Sequence, residues 1–340
     1  MAIVLFATEA GAQNDSLPQC ESQCCCNKEV ALPAGVMLGH VHPKGEWMLS
    51  YRYMSMSMSG LLSGNHSYSS AEVFNTYLMA PESMQMNMNM LMAMYGVNNR
   101  LTLMAMLHYN YGHMHMQMFA EGSNHVHDGA ASPASSHEMT YSGLGDTKLY
   151  AIYALLNRAR HKVMLNAGIS LPAGRINAVA NGDILPYSMQ NGSGTFDLLP
   201  GITYLYFHKK YVAALQSNAN IRLGYNNRGY SWGNEVTNNA WFAYRWQKVL
   251  SSSLRLEHVA SAVMIGRDAA LYKYNEPASD AANYGGQRFS LFVGTAWQPS
   301  SGKFKNWQAV AEFGVPVYQY VKGIQMSNTH FVNININYIF

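Results

Sequence analysis

The stretch Phe331-Val332-Asn333-Ile334-Asn335-Ile336-Asn337-Tyr338-Ile339-Phe340 alternates between apolar and amide side chains. Successive side chains of an extended strand point to opposite faces, so Val332, Ile334, Ile336, Tyr338 and Phe340 share one face and Asn333, Asn335 and Asn337 the other. At the edge of a soluble sheet such a strand would leave a hydrophobic rim open to pairing with other chains. A wall with lipid on one side and a polar interior on the other uses both faces.

Upstream the same alternation recurs in twelve segments, near 45–59, 82–97, 100–118, 140–156, 161–171, 194–207, 211–223, 238–247, 251–263, 287–298, 306–320 and 328–340. Long connections near 60–81, 119–139, 172–193, 224–237 and 264–286 alternate with short turns such as Val97 to Arg100 and His208 to Lys210. Short turns on one rim and long loops on the other are the layout of a bacterial outer-membrane barrel. The expected fold is therefore all-β, a twelve-stranded antiparallel transmembrane β-barrel of the bacterial outer membrane. Its short turns, N-terminal tail and C-terminus are expected on the periplasmic side. The last strand, closing on Phe340, resembles the β-signal of outer-membrane proteins. The barrel-assembly machinery is thus an expected partner, together with outer-membrane lipid.

Composition narrows the function. Only 12% of the 340 residues are charged, about half the share usual in soluble domains. No window approaches the roughly 18 consecutive apolar residues of a spanning helix, which excludes a helical membrane protein. The net charge of +3 is scattered, without the basic stripe of a nucleic-acid binder. No nucleophile elbow, zincin helix or phosphate loop is present, so an enzyme is not expected. Met1 to Ala12 reads as the remnant of an export signal, residues 13–44 as a periplasmic tail carrying Cys and His, and 45–340 as the barrel.

One polar residue fixes the facing of a barrel strand. Arg52 turns Met48, Met54, Met56 and Met58 to the lumen and Trp47, Leu49, Tyr51 and Tyr53 outward. In the third segment Leu101, Leu103, Ala105, Leu107, Tyr109 and Tyr111 form the outer face, leaving Arg100, Met104, Met106, His108, Asn110, Met114, Met116 and Met118 inside. In the second, outward Leu91, Ala93 and Tyr95 leave Met84, Met86, Met88, Met90, Met92 and Met94 inside, with Gln85, Asn87 and Asn89 continuing the outer face above the hydrocarbon band. Sixteen of the 23 methionines fall between residues 48 and 118. Strand geometry sets these rows about 4.8 Å apart laterally and about 6.8 Å apart along each strand.

Thioethers are neutral, soft donors that favour Cu(I) and, by the same softness, Ag(I). Closely spaced weak sites also suit conduction, because an ion must leave each site for the next. His108 lies in the row, and His113, His115, His125, His127 and His137 lie in or beside the following loop. Cys20, Cys24, Cys25 and Cys26 precede Gly39-His40-Val41-His42 in the tail. They are either further soft-metal ligands or a disulfide of Cys20 with one of the triplet, or an intermolecular bridge. The candidate metal ligands are therefore Met54, Met56, Met58, Met84, Met86, Met88, Met90, Met92, Met94, Met104, Met106, His108, Met114, Met116, Met118 and the four cysteines. Copper is the expected ion and a periplasmic copper carrier a matching partner; a homo-oligomer is compatible with these patterns. Flexible Met walls would equally serve a pathway for small hydrophobic or aromatic molecules, and a barrel presenting Met/His loops to a partner is a third reading.

Several stretches carry a resemblance. Gly45-Glu46-Trp47-Met48-Leu49-Ser50-Tyr51-Arg52-Tyr53-Met54, Arg100-Leu101-Thr102-Leu103-Met104, Gly143-Leu144-Gly145-Asp146-Thr147-Lys148-Leu149, Leu171-Pro172-Ala173-Gly174 and Gly192-Ser193-Gly194-Thr195-Phe196-Asp197-Leu198-Leu199-Pro200-Gly201 resemble the outer-membrane barrel family labelled phenol-degradation MetA-pathway. Members of that family are often described only as transporters. The likeness runs from about Gly35 to Phe340, and the Met-rich strands are similar to a subgroup associated with copper handling. It implies an outer-membrane transporter. The cluster from Cys20 to Cys26 lies outside the shared pattern.

Overall fold

Alternating sequence becomes alternating burial along nearly every strand of the computed structural model, which describes residues 30–119, 133–180 and 182–340. The wall is built from β1 (Trp47–Gly64), β2 (Met79–Asn98), β3 (Leu101–Phe119), β4 (Pro133–Leu144), β5 (Thr147–Asn157), β6 (His161–Leu171), β7 (Phe196–Leu198), β8 (Gly201–His208), β9 (Tyr211–Leu223), β10 (Glu235–Arg245), β11 (Leu250–Ser261), β12 (Gly286–Trp297) and β13 (Trp307–Ile339). All pairings in the wall are antiparallel and the ring is closed.

The thirteen elements make twelve staves. β4 and β5 both pair with β3, so they are one stave broken at Gly145-Asp146. β7 and β8 both pair with β6 and β9 across a break at Leu199-Pro200, where proline has no N–H to give the ladder. β13 is two staves. Its 33 residues would run roughly 110 Å if straight, but the chain turns back at Gly323, whose φ is 64°. Residues 309–321 pair with β12, and 324–339 pair with β1. Asn337 donates to Gln308 at 2.6 Å and the Ile339 N–H to the Asn306 carbonyl at 3.1 Å, which zips the two halves together.

Leu49, Leu91, Leu107, Leu215, Leu254, Val293, Phe313 and Ile336 are exposed on the outside of the wall. At the short-turn rim Trp47 packs on Tyr95, Trp307 on Tyr338, Trp297 on Phe304 and Tyr244 on Trp246. An apolar band bordered by aromatic rings is the outer surface a transmembrane barrel presents. β1, β2 and β3 have 18, 20 and 19 residues, against the roughly 9–11 that cross a bilayer. Their upper outward faces can therefore be polar, and there the Tyr51 hydroxyl donates to Asn89 at 2.6 Å and the Tyr53 hydroxyl to Asn87 at 2.7 Å.

Two expectations change. Arg100, expected in the lumen, is exposed in the β2–β3 turn, where water solvates its charge more cheaply than the apolar interior would. The tail placed outside the barrel enters it: within residues 30–44, Ala34, Val36 and Leu38 are buried, because a strap this apolar gains by covering the apolar lumen wall. The export remnant 1–12, the four cysteines, His125 and His127 lie outside the described residues.

Candidate functional site

Register decides which methionines meet. Met58, Met84 and Met114 face one another across β1, β2 and β3; so do Met48, Met94 and Met104, while Met54 meets Met88, Met56 meets Met86, and Met92 meets Met106. Directly opposed residues of an antiparallel pair hold their Cβ atoms about 4.5–5.5 Å apart, so neighbouring thioethers form rungs. Arg52, Met90 and His108 make one mixed rung. The His108 ring fits because position 145 is glycine: a Cβ there would lie 1.9 Å from its Nε2. His108 Nδ1 is buried and has no hydrogen-bond partner among the described residues.

The ladder divides into two buried clusters. Toward the short-turn rim, Met48, Met90, Met92, Met94, Met104 and Met106 pack with Val36 and Leu38 of the strap, with Ile152 of the neighbouring stave and with Leu205 and Trp241 of staves further round the ring. Ala31 and Ala34 of the same strap pack on Ala296 and Val310, so the strap spans the lumen from one wall to another. It is fixed by polar contacts as well. The Gly35 N–H donates to Glu312 at 2.6 Å, Arg52 Nη2 to the Val36 carbonyl at 2.9 Å, and Gln216 Nε2 to the Met37 carbonyl at 2.6 Å.

Toward the long-loop rim, Met84, Met114, Met116 and Tyr141 pack with Leu185 and Met189 of the 172–195 loop. That loop is held by Asp146, which accepts from the N–H groups of Gly174 at 3.0 Å and Ser193 at 2.8 Å and from the Ser193 hydroxyl at 2.7 Å. Tyr187, Tyr230 and Met264, from three different loops, bury one another beside Trp232 and Tyr284. The Asp268 N–H donates to the Tyr187 hydroxyl at 2.8 Å, and Arg228 pairs with Asp268. The cap is thus a small aromatic core of its own. Met54, Met56, Met86 and Met88 lie half-buried on the ladder between the two closures.

The remaining lumen sectors are charged and amide-rich. Arg255 is fully buried, reaching Glu312 at 3.1 Å, Glu257 at 2.7 Å and Asn239 at 2.8 Å, with its guanidinium 3.9 Å from the Phe292 ring centroid. Arg288 continues the chain to Glu257 at 3.3 Å. Arg222 pairs with Asp197 on the other side of the ring.

Of the residues expected as ligands, those from Met54 to Met116 face the interior and form the rungs. Met118 sits at the upper end, 38% exposed. Sequence reading omitted Met37, Met79, Met139, Met164, Met189 and Met326, which join the same clusters. Met139 and Met164 continue the parity of their strands and could have been found that way; Met37 and Met189 lie in non-strand segments, where periodicity gives no facing. Among the described residues, no group of three or more His, Cys, Asp or Glu converges, so any metal here would rely on thioethers.

No family model matches the sequence, and no curated protein does. Among solved structures, an outer-membrane channel from Pseudomonas putida F1 superposes with a TM-score of 0.58 at 15% identity, covering 88% of this chain and 97% of its own. The P. putida toluene transporter TodX gives 0.43 at 9% identity over 88% and 90% of the two chains. The CymD monoaromatic hydrocarbon channel gives 0.41 at 12% over 88% and 89%. The first of these places the chain among outer-membrane barrels by fold.

Proposed function

We propose that this chain is an outer-membrane transport barrel that passes small apolar molecules, with its short-turn rim toward the periplasm. The carrying observation is the nature of the lumen. A water-filled porin turns polar groups inward, whereas three adjacent staves here bury unbranched thioethers against Ile152, Leu205 and Trp241. Unbranched, polarizable Met side chains re-pack around guests of differing shape. The test is flux of a small aromatic hydrocarbon against a sugar of similar size in liposomes carrying the full chain. The aromatic should cross faster, and M86L/M90L/M104L/M106L should preserve this because volume and polarity barely change. Equal flux of the two solutes would count against an apolar path.

One observation favours a second reading, passage of a soft ion such as Cu(I) or Ag(I). Thioethers stand directly opposed across β1, β2 and β3, close enough for neighbouring sulfurs to share an ion, and His108 Nδ1 is a buried donor site without a partner among the described residues. Under this reading the fourfold Leu variant loses the metal equivalents held by the central rungs while leaving aromatic flux intact, since only those donor atoms are removed.

A further inference from the structure

The strap carries a feature that neither reading uses. Leu38 adopts a left-handed conformation, φ 63°, which costs an ordinary side chain about 1–2 kcal/mol, and its side chain is buried among the ladder methionines. His40 and His42, two residues apart, bring their rings edge to face with centroids 4.8 Å apart. Their Nε2 atoms lie 3.1 Å apart. His42 Nδ1 is 2.6 Å from a Glu46 carboxylate oxygen, a contact that puts the His42 proton on Nδ1 and leaves its Nε2 lone pair facing His40. A carboxylate behind the distal nitrogen is how ligating histidines are oriented in metal sites.

The pair is anchored at the foot of the ladder. The His42 N–H donates to the Thr102 hydroxyl at 2.8 Å. Gly96 lies against the His42 and Pro43 carbonyls so closely that a Cβ would come within 2.0 Å. Thr102 pairs with Gly96, the next lumen-facing rung after Met94 and Met104.

We infer that His40 and His42, oriented by Glu46, form a metal site holding one low-coordinate copper ion in the Cu(I) state at the foot of the thioether ladder. Two nitrogens 3.1 Å apart subtend a bent angle at an ion about 2 Å from each, the usual metal–imidazole distance. Structural zinc sites demand four protein ligands, and no third His, Cys, Asp or Glu joins the pair among the described residues. Cu(I) accepts two imidazoles, with soft thioethers as further donors.

The inference rests on residues 38–46 and stands apart from what the barrel transports. The full chain with C20S/C24S/C25S/C26S, which removes the thiols, is titrated anaerobically with Cu(I) against a chromophoric Cu(I) chelator. H40Q/H42Q should lose one equivalent that M86L/M90L/M104L/M106L retains. E46Q should keep the stoichiometry and weaken that equivalent by about 10–100-fold. X-ray absorption of the protein loaded with one equivalent should show two imidazole nitrogens around copper, a result that needs no variant to fold. An unchanged titration in H40Q/H42Q, or a shell of sulfur alone, would overturn the site and leave a bare imidazole–imidazole hydrogen bond.

Discussion

Arg255 shows what single residues contribute to this lumen. Its guanidinium and the Glu312 carboxylate are both fully shielded from solvent, and in low dielectric each charge is tolerable only because the other is present. Glu312 also accepts from the strap at Gly35, so the ion pair serves wall and strap together. Replacing Arg255 with Met strands a buried carboxylate and should cost about 3–5 kcal/mol. R255M/E312L, which removes both charges, should cost far less than R255M alone, because Glu257 keeps Arg288 at 3.3 Å. Denaturant unfolding of the detergent-solubilised barrel measures both. An R255M loss under about 1 kcal/mol, the range of a surface pair, would contradict the shielding.

At the level of elements, the cap has a titratable weak point. Glu276 in the 264–286 loop is fully buried, its contact being the Ser279 hydroxyl at 3.4 Å, and its second oxygen has no partner among the described residues. Burial raises its pKa from the ordinary 4.5 to about 7, opposed in part by that hydrogen bond. A carboxyl whose folded pKa is raised favours the folded cap below pH 4.5. That contribution fades as pH rises from 4.5 to about 7 and totals on the order of 3 kcal/mol. Amide exchange of residues 264–286, corrected for its intrinsic pH dependence, should accelerate between about pH 4.5 and 7 in the native chain, and Glu276→Gln should abolish the difference. None of this was legible in the sequence, where 264–286 is simply a long polar-rich connection. The staves were legible because a period of two survives single-residue reading: Arg52 alone sets the facing of Met54, Met56 and Met58, and those residues do turn inward. Long loops and the strap carry no period, so that Leu185 joins the cluster of Met114, or Leu38 that of Met104, depends on pairings remote in sequence.

For the whole molecule, the two closures determine what the ring can do. A barrel of this size, with amides and charges along half its lumen, would hold water if nothing entered it. Instead the strap lies between the ladder and the Arg255–Glu312 sector, and the 172–195 loop packs on the ladder toward the opposite rim. If the strap limits flow, loosening it should open the path. The weak point is Gly35, where the strap lies against the ion pair of the wall: a Cβ there would lie 2.1 Å from Arg255 Nη2 and 3.0 Å from Glu312 Oε2. Arg255 cannot withdraw without breaking its bonds to Glu257 and Asn239, so the strap must give way instead. Gly35→Ala should thus free the strap while leaving the wall folded, raising single-channel conductance in planar bilayers several-fold or lengthening its open bursts. The same chain shortened by removing residues up to 44 supplies the upper limit. Conductance of G35A equal to the native value, in a barrel whose unfolding is unchanged, would mean that the strap does not limit flow and that the cap alone governs access.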